Sequence, residues 1–388
     1  MNQKLRYSLA FFIFYLSFGL LIPFFPVLFQ KMGYSPSQIA LLSSLQPFFL
    51  MIFSPISGYF LSKYKKSPQK LILITALITL FTCSLLFLNL SFTIAMIAFG
   101  FHFAARVIIN PLLDCLTVSF TSIRNLEYGK IRIYGSFGFL IASYFGGFLF
   151  FDDNGFYFLI TYTFLIALCI PVFYSLKEEG LFETKGGMQT AKLNSRQITF
   201  LICAVFMNIS HCTYFVYYSI FLKEEMSISF QNIGFFWVFA VLCEMILMQF
   251  YSKWFKNFSS NSIILLSLVI ASIRWALVAF IPVYWGQLLI QACHAFTFAA
   301  FHLASMDKVK ELFPLESQSY GFTLYNAASF GVSGVIGNLL IAYLYNIIGI
   351  HGLFLFSALM PILGILVYLK EVFYTKKLKI YPSPDFRY

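Results

Sequence analysis

Apolar runs of about twenty residues recur along the whole chain, and few folds can house them. They lie near residues 7–29, 38–61, 71–90, 93–119, 131–151, 156–176, 198–222, 232–251, 262–281, 284–306, 320–345 and 352–369. A helix rises about 1.5 Å per residue, so each run can cross roughly 30 Å of hydrocarbon. A soluble domain needs about 25% charged residues to cover its surface; here 11% are charged and 60% are hydrophobic. The expectation is an all-α membrane protein with twelve transmembrane helices. The first run lacks a small-x-small cleavage site and reads as an uncleaved helix.

The net charge of +11 could suggest nucleic acid as a partner, but its distribution argues against that. When the loops are numbered alternately, 22 of the 26 Lys and Arg fall on the side of the N-terminus. Lys31 and Lys223 fall opposite, and Arg106 and Arg274 lie inside runs. The positive-inside rule then puts both termini in the cytoplasm. One missed span would scramble that split, so it also supports the count.

The longest polar stretch between runs is KEEGLFETKGGMQTAKLNSRQ at 177–197. It divides the chain into a six-helix bundle at 1–176, a cytoplasmic loop at 177–197, a second six-helix bundle at 198–370 and a cytoplasmic tail at 371–388. Secondary transporters are built from two such halves, with the substrate site between them near the midplane. The fifth run carries Gly135, Gly138, Ala142 and Gly146 on one stripe, and its counterpart, the eleventh, carries Gly331, Gly334 and Gly337. Small residues on one face let membrane helices approach closely. Their matching placement supports two related halves.

Ionisable groups at bilayer depth are costly and mark substrate or proton pathways. They are Arg106 and Asp114 in the fourth run, His211 in the seventh, Glu244 in the eighth, Arg274 in the ninth, and His294 and His302 in the tenth. His102 is a weaker case. Glu244, Arg274 and His294 fall near the middle of their runs and suggest a shared site. Ion pairs that lock helices together are the competing reading, weakest for His294 because histidine titrates near neutral pH. In one unbroken helix, His294 and His302 would stand about 12 Å and about 80° apart, which suits separate proton stations and not a shared metal.

HLASMD at 302–307 has the spacing of some acyltransferases, but no nucleophile or catalytic loop accompanies it. The seven Cys lie within runs without C-x-x-C spacing and read as apolar filler. No phosphate-binding glycine loop is present, which argues against ATP-driven transport. The chain is expected not to be an enzyme and to need no cofactor beyond a proton gradient.

NPLLDCLTVSFTSIRNLEYGKIRIYGSFGF at 110–139 resembles the lactose permease-like group of the major facilitator superfamily. IPFFPVLF, SHCTYFVYY, IRWAL and CHAFTFAAFHLASM, with consistent spacing over nearly the whole chain, are similar to its phenylpropionate permease-like branch. The resemblance implies the major facilitator fold. It implies that Asp114 is an acid that holds substrate, that Arg132 is its paired arginine and that Phe139 is the stacking aromatic. It also implies that Arg274 and His294 belong to a proton-coupling site, with Glu244 linking substrate to proton. The sequence departs from that pattern at four places. Thr297 stands where a proton-carrying acid is expected, Phe139 suits a sugar ring less well than Trp, Ser62 replaces a loop Asp, and Arg106 has no counterpart.

Function follows as an expectation: a proton-coupled symporter of a small organic solute in a bacterial inner membrane, acting as a monomer. Glu244, His294 and His302 all remain candidate proton carriers. His211, Tyr214 and the arginines, Arg106 among them, suit an aromatic acid. A sugar or oligosaccharide, a nucleoside, or efflux by the same fold remain open, as does a sensor that transports nothing.

Overall fold

The computed structural model describes residues 2–64, 67–88, 90–150, 155–178, 192–314 and 317–380, with backbone alone for 54–64, 319 and 370–380. Every regular element among the described residues is helical, because a chain in lipid must satisfy its own backbone groups. The first seven helices are α1 (Gln3–Lys31), α2 (Pro36–Tyr64), α3 (Pro68–Cys83), α4 (Phe92–Arg106), α5 (Ile109–Ile123), α6 (Gly129–Gly146) and α7 (Phe156–Ser175). Then come α8 (Ser195–Glu224), α9 (Phe230–Trp254), α10 (Ser260–Phe280), α11 (Tyr284–Ala292), α12 (Phe301–Leu312), α13 (Gln318–Asn326) and α14 (Ser333–Ile380). Caps mark several starts: Ser67 accepts from the Lys70 N–H at 3.1 Å, with Pro68 opening α3.

Among the described residues ten segments are long and apolar enough to cross a membrane, against the twelve expected. The difference arises at two places. The glycine-bearing α6, 18 residues long, is not among the ten. Tyr320–Leu369 runs as one segment through Gly349, where φ of 63° and ψ of −177° break the helix. Only glycine adopts that conformation without strain, and it falls between the two runs expected there.

One compact unit comprises Met1–Lys185, Phe215–Phe239 and Asn338–Ile347. Within it α1 packs along α6 and α7, and the glycine stripe on α6 explains the closeness. A Cβ on Gly138 would collide with the carbonyl oxygen of Phe12. The same unit holds the end of α8 and the start of α9. Tyr217 donates to the Pro36 carbonyl at 2.7 Å, and Gln30 donates to Glu224. Lys31 and Lys223 both lie over the Phe230 ring, at 5.7 and 4.8 Å. The two lysines that the loop count sets apart therefore share one end of the unit.

The other unit comprises Gly186–Tyr214, Ala240–Gly337 and Ile348–Tyr388, with a core around Met207, Leu268, Ala271 and Ala304. Its second glycine stripe also meets a neighbour, Gly337 facing Cys212. The run at 284–306 is not one regular helix. It consists of α11, a turn at Cys293, a π-helical stretch Ala295–Ala300, and α12. A second π-helical stretch, Ala327–Val332, joins α13 to α14. A π-bulge holds one extra residue per turn, so the rotation from His294 to His302 is about 20° in place of about 80°. The two histidines share a face, which corrects the expectation drawn from an unbroken helix.

Candidate substrate and proton site

The second unit gathers five of the expected residues. Arg274, fully buried on α10, donates from Nη1 to His294 Nδ1 at 3.1 Å and to Thr297 Oγ1 at 2.9 Å. Its Nη2 donates to Gln291 Oε1 at 3.0 Å. His294 Nε2 lies 3.5 Å from Glu244 Oε2, and the Glu244 side chain is 16% exposed. The Tyr214 ring lies 4.7 Å from the Arg274 guanidinium and 5.7 Å from the His294 ring. His211 Nε2 stands 3.4 Å from Thr297 Oγ1.

Donor chemistry settles the proton positions. Arginine has no acceptor, so His294 Nδ1 must accept from it and Nε2 carries the hydrogen that faces Glu244. Thr297 Oγ1 accepts from Arg274 and turns its own hydrogen to His211 Nε2. His211 Nδ1–H then donates to the Met207 carbonyl at 2.9 Å. The result is a directed chain from a cation to two neutral imidazoles, with a carboxylate at one end.

His302 joins by rings. His294 stacks on Phe298 at 5.2 Å, Phe298 lies 6.4 Å from Phe330, and Phe330 lies 6.1 Å from His302. Both phenylalanines belong to the π-helical stretches. His302 Nδ1 is also 3.1 Å from Tyr325 Oη.

The first unit holds a second chain. Arg132 donates to Tyr15 Oη, Tyr15 donates to Asn110 Oδ1 at 2.9 Å, and Asn110 donates to Asp114 Oδ2 at 3.2 Å. Tyr128 donates to Asp114 Oδ1 at 2.7 Å. The Arg132 guanidinium also stacks 4.1 Å over the Tyr15 ring. Asp114 and Arg132 are thus linked through two intermediaries and make no direct ion pair. Phe139 sits elsewhere on α6, half-buried, with its carbonyl against Gly19. Arg106 lies behind α1, bonded to Ser17 and Tyr162.

Reading the sequence missed Tyr15, Asn110, Tyr128, Gln291 and Trp275. Gln291 sits three residues before His294 and was accessible by helical spacing. Tyr15 and Tyr128 were not, as two among 24 tyrosines. Among the described residues no three His, Cys, Asp or Glu side chains gather as a metal site requires.

The sequence model of the MFS_1-like family matches residues 4–356. This chain belongs to that family. It is 25% identical over 374 residues to a probable 3-phenylpropionic acid transporter of Escherichia coli, covering 92% of this chain and 94% of the relative. It is 24% identical over 373 residues to a maltose permease of Geobacillus stearothermophilus, covering 95% and 94%. The nucleoside transporter NupG has the same fold, with a TM-score of 0.83 at 13% identity, over 96% of this chain and 99% of that one. The chain is a multi-pass membrane transporter of small molecules, not an enzyme.

Proposed function

We propose that this chain is a proton-coupled symporter that imports a small aromatic carboxylic acid of the 3-phenylpropionic kind. The observation that carries this reading is the chain Glu244–His294–Arg274–Thr297–His211, buried from His294 onward with Glu244 partly exposed. Coupling needs a group whose proton occupancy changes with conformation. Beside the His294 N–H and the Arg274 charge, the Glu244 carboxylate stays ionised; drawn away into apolar surroundings it takes up a proton. A substrate whose binding draws Glu244 away from this pair would link the two events. Tyr214, Trp275 and Phe298 line this chain with rings, which suits an aryl group. Rocking of two six-helix halves then carries cargo and proton together. The proton gradient drives the cycle without a bound cofactor. In this reading the protein is a monomer of a bacterial inner membrane with both termini cytoplasmic, in keeping with the 22 basic residues on one side.

Asp114 favours a second reading. A carboxylate held by Asn110 and Tyr128 suits substrate hydroxyls, and the maltose permease relative points the same way. Uptake of labelled 3-phenylpropionate, maltose and uridine into proteoliposomes under an inward proton gradient separates these cargoes. Glu244→Gln should abolish uphill accumulation while exchange of preloaded substrate persists. Uphill uptake by that variant at the wild-type rate would refute the coupling role.

A further inference from the structure

Arg106 is a buried cation whose charge no carboxylate meets among the described residues. It is 1% exposed. Its Nε donates to Tyr162 Oη at 3.0 Å and its Nη2 to Ser17 Oγ at 2.9 Å, while Nη1 has no partner. Residues 1–150 contain two acids, Asp114 and Glu127. Asn110 and Tyr128 hold Asp114, and Glu127 pairs with Lys130 at 2.9 Å on an exposed turn.

The hydrogen bonds around Arg106 run away from it. Tyr162 accepts from Arg106, so its own hydrogen goes to His102 Nε2, at 2.9 Å. His102 Nδ1–H then donates to Thr82 Oγ1 at 3.0 Å. No member of that chain carries negative charge. Arginine cannot shed its proton, and an ion buried without a partner is strongly disfavoured. Arg132 and Arg274 differ: Arg132 reaches Asp114 through two side chains, and Arg274 reaches Glu244 through His294.

Phe18 lies 4.1 Å from the Arg106 guanidinium and stacks on Tyr15 at 5.2 Å. Tyr15 is the ring that carries the Arg132–Asp114 chain. Only one side chain of α1 therefore separates the uncompensated cation from the polar site.

Resting on the reading of this chain as a carrier of aryl acids, we infer that Arg106 is the anchor for the substrate carboxylate. The unpartnered Nη1 and its neighbour Nη2 offer the planar fork that carboxylates accept in bidentate fashion. Phe14, 5.1 Å from the guanidinium, and Phe18, 4.1 Å from it, flank this fork with rings. The cargo's negative charge meets the Arg106 cation, which has no carboxylate of its own among the described residues, so a neutral analogue binds weakly.

The test is binding to purified protein in detergent without any gradient, with 3-phenylpropionate and its primary amide as probes. Wild type should prefer the carboxylate at least tenfold. Arg106→Gln should reduce that preference to about one by weakening the acid and sparing the amide, with melting and elution profiles reporting the fold. Arg106→Lys keeps the charge and loses the fork, so its preference should fall about threefold or more; it decides the matter if the Gln variant does not fold. A wild type without preference overturns the assignment, as do an Arg106→Gln or Arg106→Lys variant that keeps the full preference, or a folded Arg106→Gln that binds neither probe. Failure of proton coupling in Glu244→Gln leaves this result untouched, because no gradient is involved.

Discussion

Arg274 Nη1 donates to His294 Nδ1 across 3.1 Å, and that bond decides which nitrogen of His294 faces Glu244. Because arginine only donates, His294 presents an N–H to the carboxylate and cannot take a proton at Nδ1 while the bond lasts. In the proposed mechanism the histidine is a positioner in this conformation, and Glu244 is the group whose proton occupancy changes. The Arg274 bond therefore speaks for Glu244 over His294 as the proton carrier in the proposed mechanism, with His302 a separate candidate.

Replacing His294 tests that division of labour. His294→Ala leaves a buried Arg274 donor without its acceptor, which costs about 1–3 kcal/mol. His294→Gln provides an acceptor for Arg274 and a donor for Glu244 and should recover most of the melting temperature in detergent. Coupled uptake should be lost in the Ala variant and partly kept in the Gln variant. Equal uptake defects with equal stabilities would show that the imidazole itself carries the proton.

Tyr15 offers a second test, in the other unit. Tyr15→Phe cuts the link from Arg132 to Asn110, so two polar groups lose a partner at once. A double-mutant cycle of Tyr15→Phe with Arg132→Gln, read by thermal melting, should give a coupling of about 0.5–3 kcal/mol. Tyr128→Phe removes one donor from Asp114 and leaves Arg132 connected, so its cycle with Arg132→Gln should be smaller. If the Tyr15 and Arg132 effects add within about 0.3–0.5 kcal/mol, the chain does not operate as drawn.

The helices and the membership of the second-unit cluster were legible because both rest on strong signals. Twenty-residue apolar runs have one outcome in lipid, and a charge within such a run must turn inward to a partner. That reasoning found Glu244, Arg274 and His294 as a set. It did not find how Asp114 and Arg132 connect, because Tyr15 is one ring in a chain with 51 Phe and 24 Tyr and carries no charge of its own. It also did not show that Arg106 lies behind α1 with Tyr162 and Ser17, since periodicity blurs where α4 gives way to α5 at residues 107–108. The π-helical stretches were hidden for a different reason. AFTFAA contains nothing that an α-helix would refuse, so its widened turn reflects packing against neighbours and not local preference.

If Ala295–Ala300 holds one residue more than a regular helix needs, deleting Ala299 lets the backbone close into ordinary α-turns. His294 and α12 then keep their faces, because the flanking registers already match those of a chain one residue shorter. Such a variant should insert and melt near wild type, with transport at least tenfold lower because π-turns cluster where helices must rearrange or bind. Deleting Leu303, within regular α12, rotates the remainder of that helix by about 100°. It turns Ala304 and Lys308, both buried, away from their partners, so that protein should fail to assemble. Comparable yields for the two deletions would mean that residues 295–300 carry no extra residue, and that His302 stands on a different face from His294 after all.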